Sequence, residues 1–148
     1  MRGHTEDMLD HISTLARHLS GFRSQYVVLV MLMDLEINEK HDGFEYLRTA
    51  IELFHEDPAQ MITKGLYPVV AKRCGRCVGG KAVERAIRTA IKSAWEKHGE
   101  MWMVYFPSSE RPSNGDFIAR LSKYLSLWEE CCKAYERQTI KEDFQNER

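Results

Sequence analysis

The sequence has no apolar run long enough to cross a bilayer, and it has only four cysteines in 148 residues. Its longest apolar stretch, Tyr26 to Met33, is far shorter than the roughly 20 residues of a membrane-spanning helix. No basic segment followed by an apolar core stands at the start, so no secretory signal is indicated. We therefore expect a cytoplasmic protein that does not enter a membrane and keeps its thiols reduced.

Motifs of catalysis and of nucleotide binding are also missing. The sequence has no Walker loop, no dinucleotide fingerprint and no Ser/His/Asp set, so we expect no enzyme activity and no cofactor. Cys74 and Cys77 have half the spacing of a zinc site, but Cys131 and Cys132 are adjacent and suit one tetrahedral ion poorly. We therefore predict no metal site. A zinc ion or a reversible disulfide at Cys74 and Cys77 is the less favoured alternative.

The net charge is close to zero, yet the basic residues are concentrated in one region. The formal charge of the whole chain is −1, while nine Lys or Arg stand against two Glu between Lys64 and His98. A local basic block in a near-neutral chain is typical of one surface that contacts a polyanion. A solvated charged face is the alternative interpretation.

Apolar residues recur at helical spacing along most of the chain, which predicts a single all-α domain. The first helix should begin at a Thr5 cap and end at Gly21. An almost wholly apolar stretch, 24–37, predicts a central buried helix. Residues 101–112 are expected to be irregular and to cover the core. Further helices are predicted at 44–57, 60–66, from Pro68, 80–98, and from a Ser113–Asp116 capping box through Cys132 and Tyr135.

The helix predicted at 80–98 has two chemically different faces. One is apolar and the other is charged: the apolar set is Val83, Ile87, Ala90, Ile91 and Ala94, and the charged set is Lys81, Glu84, Arg85, Arg88 and Lys92. Such a helix suits the DNA major groove, because arginine pairs with guanine, glutamate accepts from cytosine N4 and lysine anchors on phosphate. A short helix and a turn with three glycines precede it, which predicts a helix–turn–helix unit.

Four motifs around this unit occur in an order and spacing found in one known family. They are GFEYLR at 43–48, ITKGLYP at 62–68, VERAIR at 83–88 and PSNGDFIA at 112–119. Over residues 27–127 the chain resembles the C-terminal DNA-binding domain of Spo0A, the master regulator of sporulation. The resemblance implies a six-helix domain that binds a short DNA box and regulates transcription.

The resemblance also implies roles for particular residues and partners. The reading helix of the family aligns to residues 80–95, which puts Glu84 and Arg85 at base-reading positions and Arg88 at a groove or phosphate position. Family members bind double-stranded DNA as tandem copies on repeated boxes and contact RNA polymerase sigma factors. A sigma factor and a second copy of the chain, as a homodimer or a tandem pair, are therefore expected partners.

From the residues and the resemblance together, we predict a compact multi-helix domain with a helix–turn–helix, an extra N-terminal helix and an extended C-terminal helix. Residues 1–25 should form the N-terminal extension, 26–128 the DNA-binding domain, and 129–148 a C-terminal extension with a frayed end. Base reading is predicted for Lys81, Glu84, Arg85 and Arg88. Phosphate contacts are predicted for Lys64, Lys72, Arg73, Arg76, Thr89 and Lys92.

The chain departs from the family pattern in three respects, and the first two motivate a second hypothesis. Ala82 replaces an arginine that family members use against a base, and the turn at 74–80 is about two residues longer. The roughly 26 residues before the domain are too few for a receiver domain with a phosphorylated aspartate, so we expect no control by phosphorylation within this chain. The alternative function is a protein-interaction module that pairs with a full-length relative, or antagonises it, without reading DNA productively.

Overall fold

The computed structural model describes residues 3–146, apart from the side chain of His4. The outermost residues of the two predicted extensions, 1–2 and 147–148, lie outside this range. The described part contains seven α-helices, one π-helical turn and no strand, which confirms the all-α class. The helices are α1 (His4–Leu19), α2 (Ser24–Asp34), α3 (Asp42–Glu56), α4 (Tyr67–Arg73), α5 (Gly80–Lys97), α6 (Trp102–Tyr105) and α7 (Asn114–Asn146), with the π turn at Ile62–Leu66.

Helix α3 lies at the centre of the fold and packs against α2, α4, α5 and α7. Its amphipathic pattern explains this place, because Phe44, Leu47 and Ile51 recur at helical spacing and are all buried. Gly43 lets α3 approach α5 closely: a β-carbon there would collide with the carbonyl oxygen of Ala86 and lie 2.8 Å from Cβ of Ala90. The backbone contact therefore fixes the position of α5 on the core.

Helix α2 is apolar nearly all round, and only its inner face is covered. Val27, Val28, Met31 and Leu32 are buried, while outer residues such as Met33, at 56% exposure, remain in contact with solvent. The predicted helix is present, although it ends at Asp34 and not at 37. The prediction of burial on all sides is wrong for the outer face, because no other described element packs there.

The segment predicted to be irregular contains the short helix α6. Trp102 and Tyr105 are both almost fully buried, which confirms that this segment covers the core. The indole of Trp102 donates a 2.9 Å hydrogen bond to the carbonyl of Leu35, and its ring lies beside Phe106 and Phe117. These anchors explain why a helical turn forms in a segment whose sequence lacks helical periodicity.

Several predicted helix ends agree with the structure. The Ser113 hydroxyl accepts a 3.1 Å hydrogen bond from the backbone N–H of Asp116, which is the predicted cap of α7. Gly21 follows α1 with a positive φ of 91°. The predicted Thr5 cap is wrong, because α1 already begins at His4 behind Gly3. Helix α7 remains helical to Asn146, and the last two residues of the expected frayed end are not described.

Two polar clusters join the terminal helices to the core. His11 of α1 contacts the carboxylate of Asp34 at 2.8 Å and the hydroxyl of Tyr105 at 3.1 Å. His55 of α3 contacts Glu129 at 2.7 Å and Ser126 at 3.2 Å, and both partners lie on α7. The first cluster therefore links α1 to α2 and α6, and the second links α3 to α7. Within residues 3–146, no helix combines the length and apolar content that crossing a membrane requires.

Candidate nucleic-acid interface

Helices α4 and α5 form the predicted helix–turn–helix pair. Pro68 stands in the first turn of α4, as expected for a residue without an N–H. The helix ends in a Schellman motif: the N–H of Gly75 donates to the carbonyl of Lys72, and that of Arg76 donates to Ala71. Gly75 alone among the three turn glycines has a positive φ, of 68°, so only at this position does the turn use the left-handed angles that glycine permits.

The structure confirms the division of α5 into an inner and an outer face. Its buried residues are those of the predicted apolar set, Val83, Ile87, Ala90, Ile91 and Ala94. On the other side, Lys81, Arg85, Arg88 and Lys92 are exposed. They follow one another at three- or four-residue steps, so they form a single line along the helix, which we call the basic stripe. The stripe is about 16 Å long at 1.5 Å per residue.

Glu84 and Arg88 form an ion pair at the edge of the basic stripe. The guanidinium of Arg88 donates to the Glu84 carboxylate at 2.6 Å, and the two side chains are 55% and 32% exposed. Arg85 has no hydrogen bond or ion pair from its side chain to any residue in the range 3–146. The stripe therefore presents one free guanidinium and one that is already oriented by a carboxylate.

The predicted phosphate contacts lie on three neighbouring elements. Lys64 is on the π turn, Lys72 and Arg73 are in the last turn of α4, and all three are exposed. Arg76 is also exposed, but it pairs with Asp42 of α3 at 3.1 Å. A phosphate must therefore compete with this carboxylate for the Arg76 guanidinium.

Two more of the predicted phosphate contacts lie on α5. Thr89 and Lys92 are exposed. The Thr89 hydroxyl donates a 3.0 Å hydrogen bond to the carbonyl of Arg85, so its oxygen remains available only as an acceptor until that bond is broken. Phosphate oxygens accept hydrogen bonds but do not donate them, which makes Lys92 the better placed of the two.

Helix α5 is held in place by contacts from the start of α7 and of α4. The side-chain amide of Asn114 donates a 2.9 Å hydrogen bond to the carbonyl of Glu84. Gly80 packs against Tyr67 and Pro68, where an added β-carbon would lie 3.5 Å from each. Burial raises the pKa of the Tyr67 hydroxyl, although Asn114 opposes the shift. Tyr67 therefore stays neutral beside the basic stripe.

A cleft beside the basic stripe contains a residue that the sequence analysis did not identify. The cleft has a volume of about 470 Å³ and lies between α5, the π turn and the start of α7. Arg111 and Thr63 line it together with Glu84 and Arg88. Arg111 stands in the irregular segment before α7, far along the chain from α5. The available signal in the sequence was its position directly before PSNGDFIA, one of the motifs of the family pattern.

Cys74 and Cys77 remain unpaired in the turn. Cys74 is half-buried with its sulfur 3.5 Å from the Thr49 hydroxyl, and Cys77 is exposed. Among residues 3–146, no three His, Cys, Asp or Glu side chains form a group that could hold a metal ion.

The fold and the exposed basic stripe define a DNA-binding protein of the helix–turn–helix class. A comparison with known families identifies the particular one: residues 28–125 match the family described as sporulation initiation factor Spo0A, C terminal. The chain belongs to this family. The family is the DNA-binding domain of a sporulation regulator, and it is not an enzyme family. The match contains α3 to α6, residues 28–34 of α2 and the first part of α7, and α1 lies outside it.

Proposed function

We propose that this chain is a sequence-specific regulator of transcription that reads a short DNA box with the outer face of α5. The observation that carries the proposal is the exposure of Lys81, Arg85, Arg88 and Lys92 along one line of a helix whose opposite face is buried. A stripe of this length matches the contact that a recognition helix makes in the major groove. Residues 26–128 would form the DNA-binding unit, acting in the cytoplasm.

The side-chain contacts suggest different roles for the two arginines of the stripe. Arg85 is exposed and its planar guanidinium has no side-chain partner among residues 3–146, so it is the best candidate for bidentate pairing with guanine. Glu84 orients Arg88, so the two would act as a unit: the carboxylate accepts from cytosine N4 while Arg88 contacts a neighbouring base or phosphate. Lys81 would contact the groove at the amino end of α5.

The remaining cations would position the domain on the DNA backbone. Lys64, Lys72, Arg73 and Lys92 are exposed and are proposed to contact phosphates, with Arg76 and Thr89 joining after their present bonds are exchanged. Arg111 at the neighbouring cleft is proposed as an additional phosphate contact. Family membership further supports tandem copies on repeated boxes and contact with an RNA polymerase sigma factor.

Selection of bound duplexes from a random pool tests this proposal. The purified chain should enrich one short motif, and its affinity for that motif should fall steeply with salt because cations on the protein displace counterions from the DNA. A variant with Lys133→Ala, on the exposed far part of α7, should enrich the same motif. Enrichment of no motif would overturn the proposal.

The same assay distinguishes the alternative function as a protein-interaction module. Ala82 is exposed on α5 and cannot donate to a base, and residues 74–79 form the turn between α4 and α5 that is expected to be longer than in the family. If these departures have abolished DNA reading, the chain would show only weak, non-specific retention of DNA. It would then bind a full-length relative added to the same reaction.

A further inference from the structure

The outer face of α2 is an apolar surface that no described element covers. Phe22, Tyr26 and Met33 are 52%, 48% and 56% exposed, and Leu29 and Val30 between them are half-buried. Tyr26, Leu29, Val30 and Met33 recur at three- and four-residue steps, so they lie along one side of the helix. Phe22 precedes α2, and its ring lies 6.1 Å from that of Tyr26. We call them the α2 patch. A helix that is apolar all round is normally buried on all sides, and a contiguous exposed apolar surface marks an interaction site.

The α2 patch is complementary to itself when two copies meet in antiparallel orientation. If a two-fold axis passes between Leu29 and Val30, Leu29 of one copy contacts Val30 of the other. Tyr26 of each copy then contacts Met33 of the other. An aromatic ring against a flexible thioether is a favourable contact. A two-fold contact requires a surface that fits a copy of itself, and this register supplies it.

Charges at the two ends of the patch agree with the same register. Arg23 precedes α2 and Glu36 follows it, and both are exposed. Neither side chain has an ion-pair partner within residues 3–146. The carboxylate of Glu36 lies over Gly99, just beyond the end of α2. In the antiparallel pair, Arg23 of each copy would face Glu36 of the other, so two oppositely charged pairs would flank the apolar centre. A parallel arrangement would put like charges together.

We propose that α2 is a homodimerisation surface, on which a second copy of this chain binds in antiparallel orientation about a two-fold axis. This surface differs from a head-to-tail arrangement of copies on DNA, because a two-fold contact uses the same patch on both chains. It lies on an element other than α4 and α5, so the proposal does not depend on DNA reading. The buried area comes mainly from one helix of 11 residues, so the dimer forms in a concentration-dependent equilibrium.

Analytical ultracentrifugation of the full chain under reducing conditions tests the proposal, since reduction prevents linkage through Cys77. The wild-type chain should change from monomer to dimer as its concentration rises. Met33→Lys should weaken the dimer by roughly tenfold or more, because it puts a charge into the apolar centre. The matched control Met61→Lys alters a methionine that is 64% exposed away from α2, and it should leave the dimer unchanged.

A charge exchange tests the register. Arg23→Glu and Glu36→Arg should each weaken the dimer, because each puts two like charges together. The double variant should dimerise like the wild type, because residues 23 and 36 again carry opposite charges. Circular dichroism checks that every variant is folded, and Arg85→Ala should dimerise like the wild type. A monomer at every concentration, an equal effect of Met61→Lys and Met33→Lys, or no recovery in the double variant would overturn the proposal.

Discussion

Arg88 donates a 2.6 Å hydrogen bond to the carboxylate of Glu84, one turn earlier on α5. An exposed pair at this spacing contributes only about 0.3–0.5 kcal/mol, so DNA can exchange its partners at little cost. The pair nevertheless orients Arg88 toward the cleft that Arg111 also lines. Glu84 therefore positions a neighbouring cation, and in the proposed complex it would also accept a hydrogen bond from a base.

Removing the carboxylate of Glu84 should relax base preference more than it lowers affinity. In Glu84→Ala the acceptor for cytosine N4 is lost, while Arg88 is freed and still contributes its charge. The expected result of a random-pool selection is a motif with one or two less defined positions and nearly unchanged affinity for the preferred duplex. Glu96→Ala, exposed at the far end of α5, is the control and should leave the motif intact. An unaltered motif in Glu84→Ala would show that this carboxylate reads no base.

Lys72 should contribute to all DNA sequences equally. The residue is exposed in the last turn of α4 and has no ion-pair partner within the described range. Lys72→Ala should weaken binding to selected and scrambled duplexes by the same factor and reduce the slope of log affinity against log salt by about 1. Fluorescence anisotropy at several salt concentrations measures both quantities. A loss confined to the selected duplex would assign Lys72 to base reading.

The arrangement of α5 was largely predictable from the sequence, because one helix with a 3.6-residue apolar period has only one way to bury that face. The predicted apolar set, Val83 to Ala94, is the buried set of the structure. The ion pairs of Arg88 and Arg76 were not predicted. One links residues on the same helix, but the other joins the turn to Asp42, 34 positions earlier, and no local pattern encodes it.

The features that were predicted wrongly or not at all depend on tertiary contacts, which local sequence patterns do not report. The outer face of α2 was predicted to lie in the core because hydropathy reports the need for burial but not the partner that provides it. The helix α6 was missed because it depends on anchors such as the Trp102 hydrogen bond to Leu35, which is a tertiary contact. Arg111 was not predicted because its position beside α5 depends on the path of the chain between α6 and α7.

Gly43 should be intolerant of even a methyl group. In Gly43→Ala the new β-carbon would collide with the carbonyl of Ala86 in α5, and two backbones would have to separate. We expect a loss of about 1–3 kcal/mol in the free energy of unfolding, as for other overpacked sites, measured by urea denaturation. Gly65→Ala is the matched control, because the nearest atom to its added β-carbon would be Cβ of Gln60 at 3.9 Å, which is ordinary van der Waals contact. Equal stability of Gly43→Ala and wild type would contradict the close approach of α3 to α5.

Glu52 should make stability depend on pH. Burial raises its pKa above the ordinary value of 4.5, with Glu56 adding to the shift and Arg48 and Arg73 opposing it, and its Oε1 has no hydrogen-bond partner. Because the folded-state pKa is the higher one, this group favours folding fully below 4.5, and that contribution is lost as the pH rises through the raised value. Deprotonation at neutral pH therefore disfavours the folded state.

Glu52→Gln removes this titration and should be more stable than wild type at neutral pH by on the order of 0.5 kcal/mol, since an unpaired, partly buried charge is removed. The difference should shrink as the pH falls toward 4.5. Urea denaturation across this pH range measures it, and Glu45→Gln on the exposed side of α3 serves as control. A constant difference between Glu52→Gln and wild type at all pH values would exclude the raised pKa as its cause.

The affinity of Arg85→Ala for the duplex selected by the wild-type chain tests the central claim most directly. Arg85 is exposed on the basic stripe without a side-chain partner among residues 3–146, so its removal should leave the fold intact. We predict a loss of about 1–3 kcal/mol on the selected duplex, together with relaxed preference at one guanine, and a much smaller change on a scrambled duplex. Unchanged affinity for the selected duplex would contradict the assignment of α5 as the reading helix.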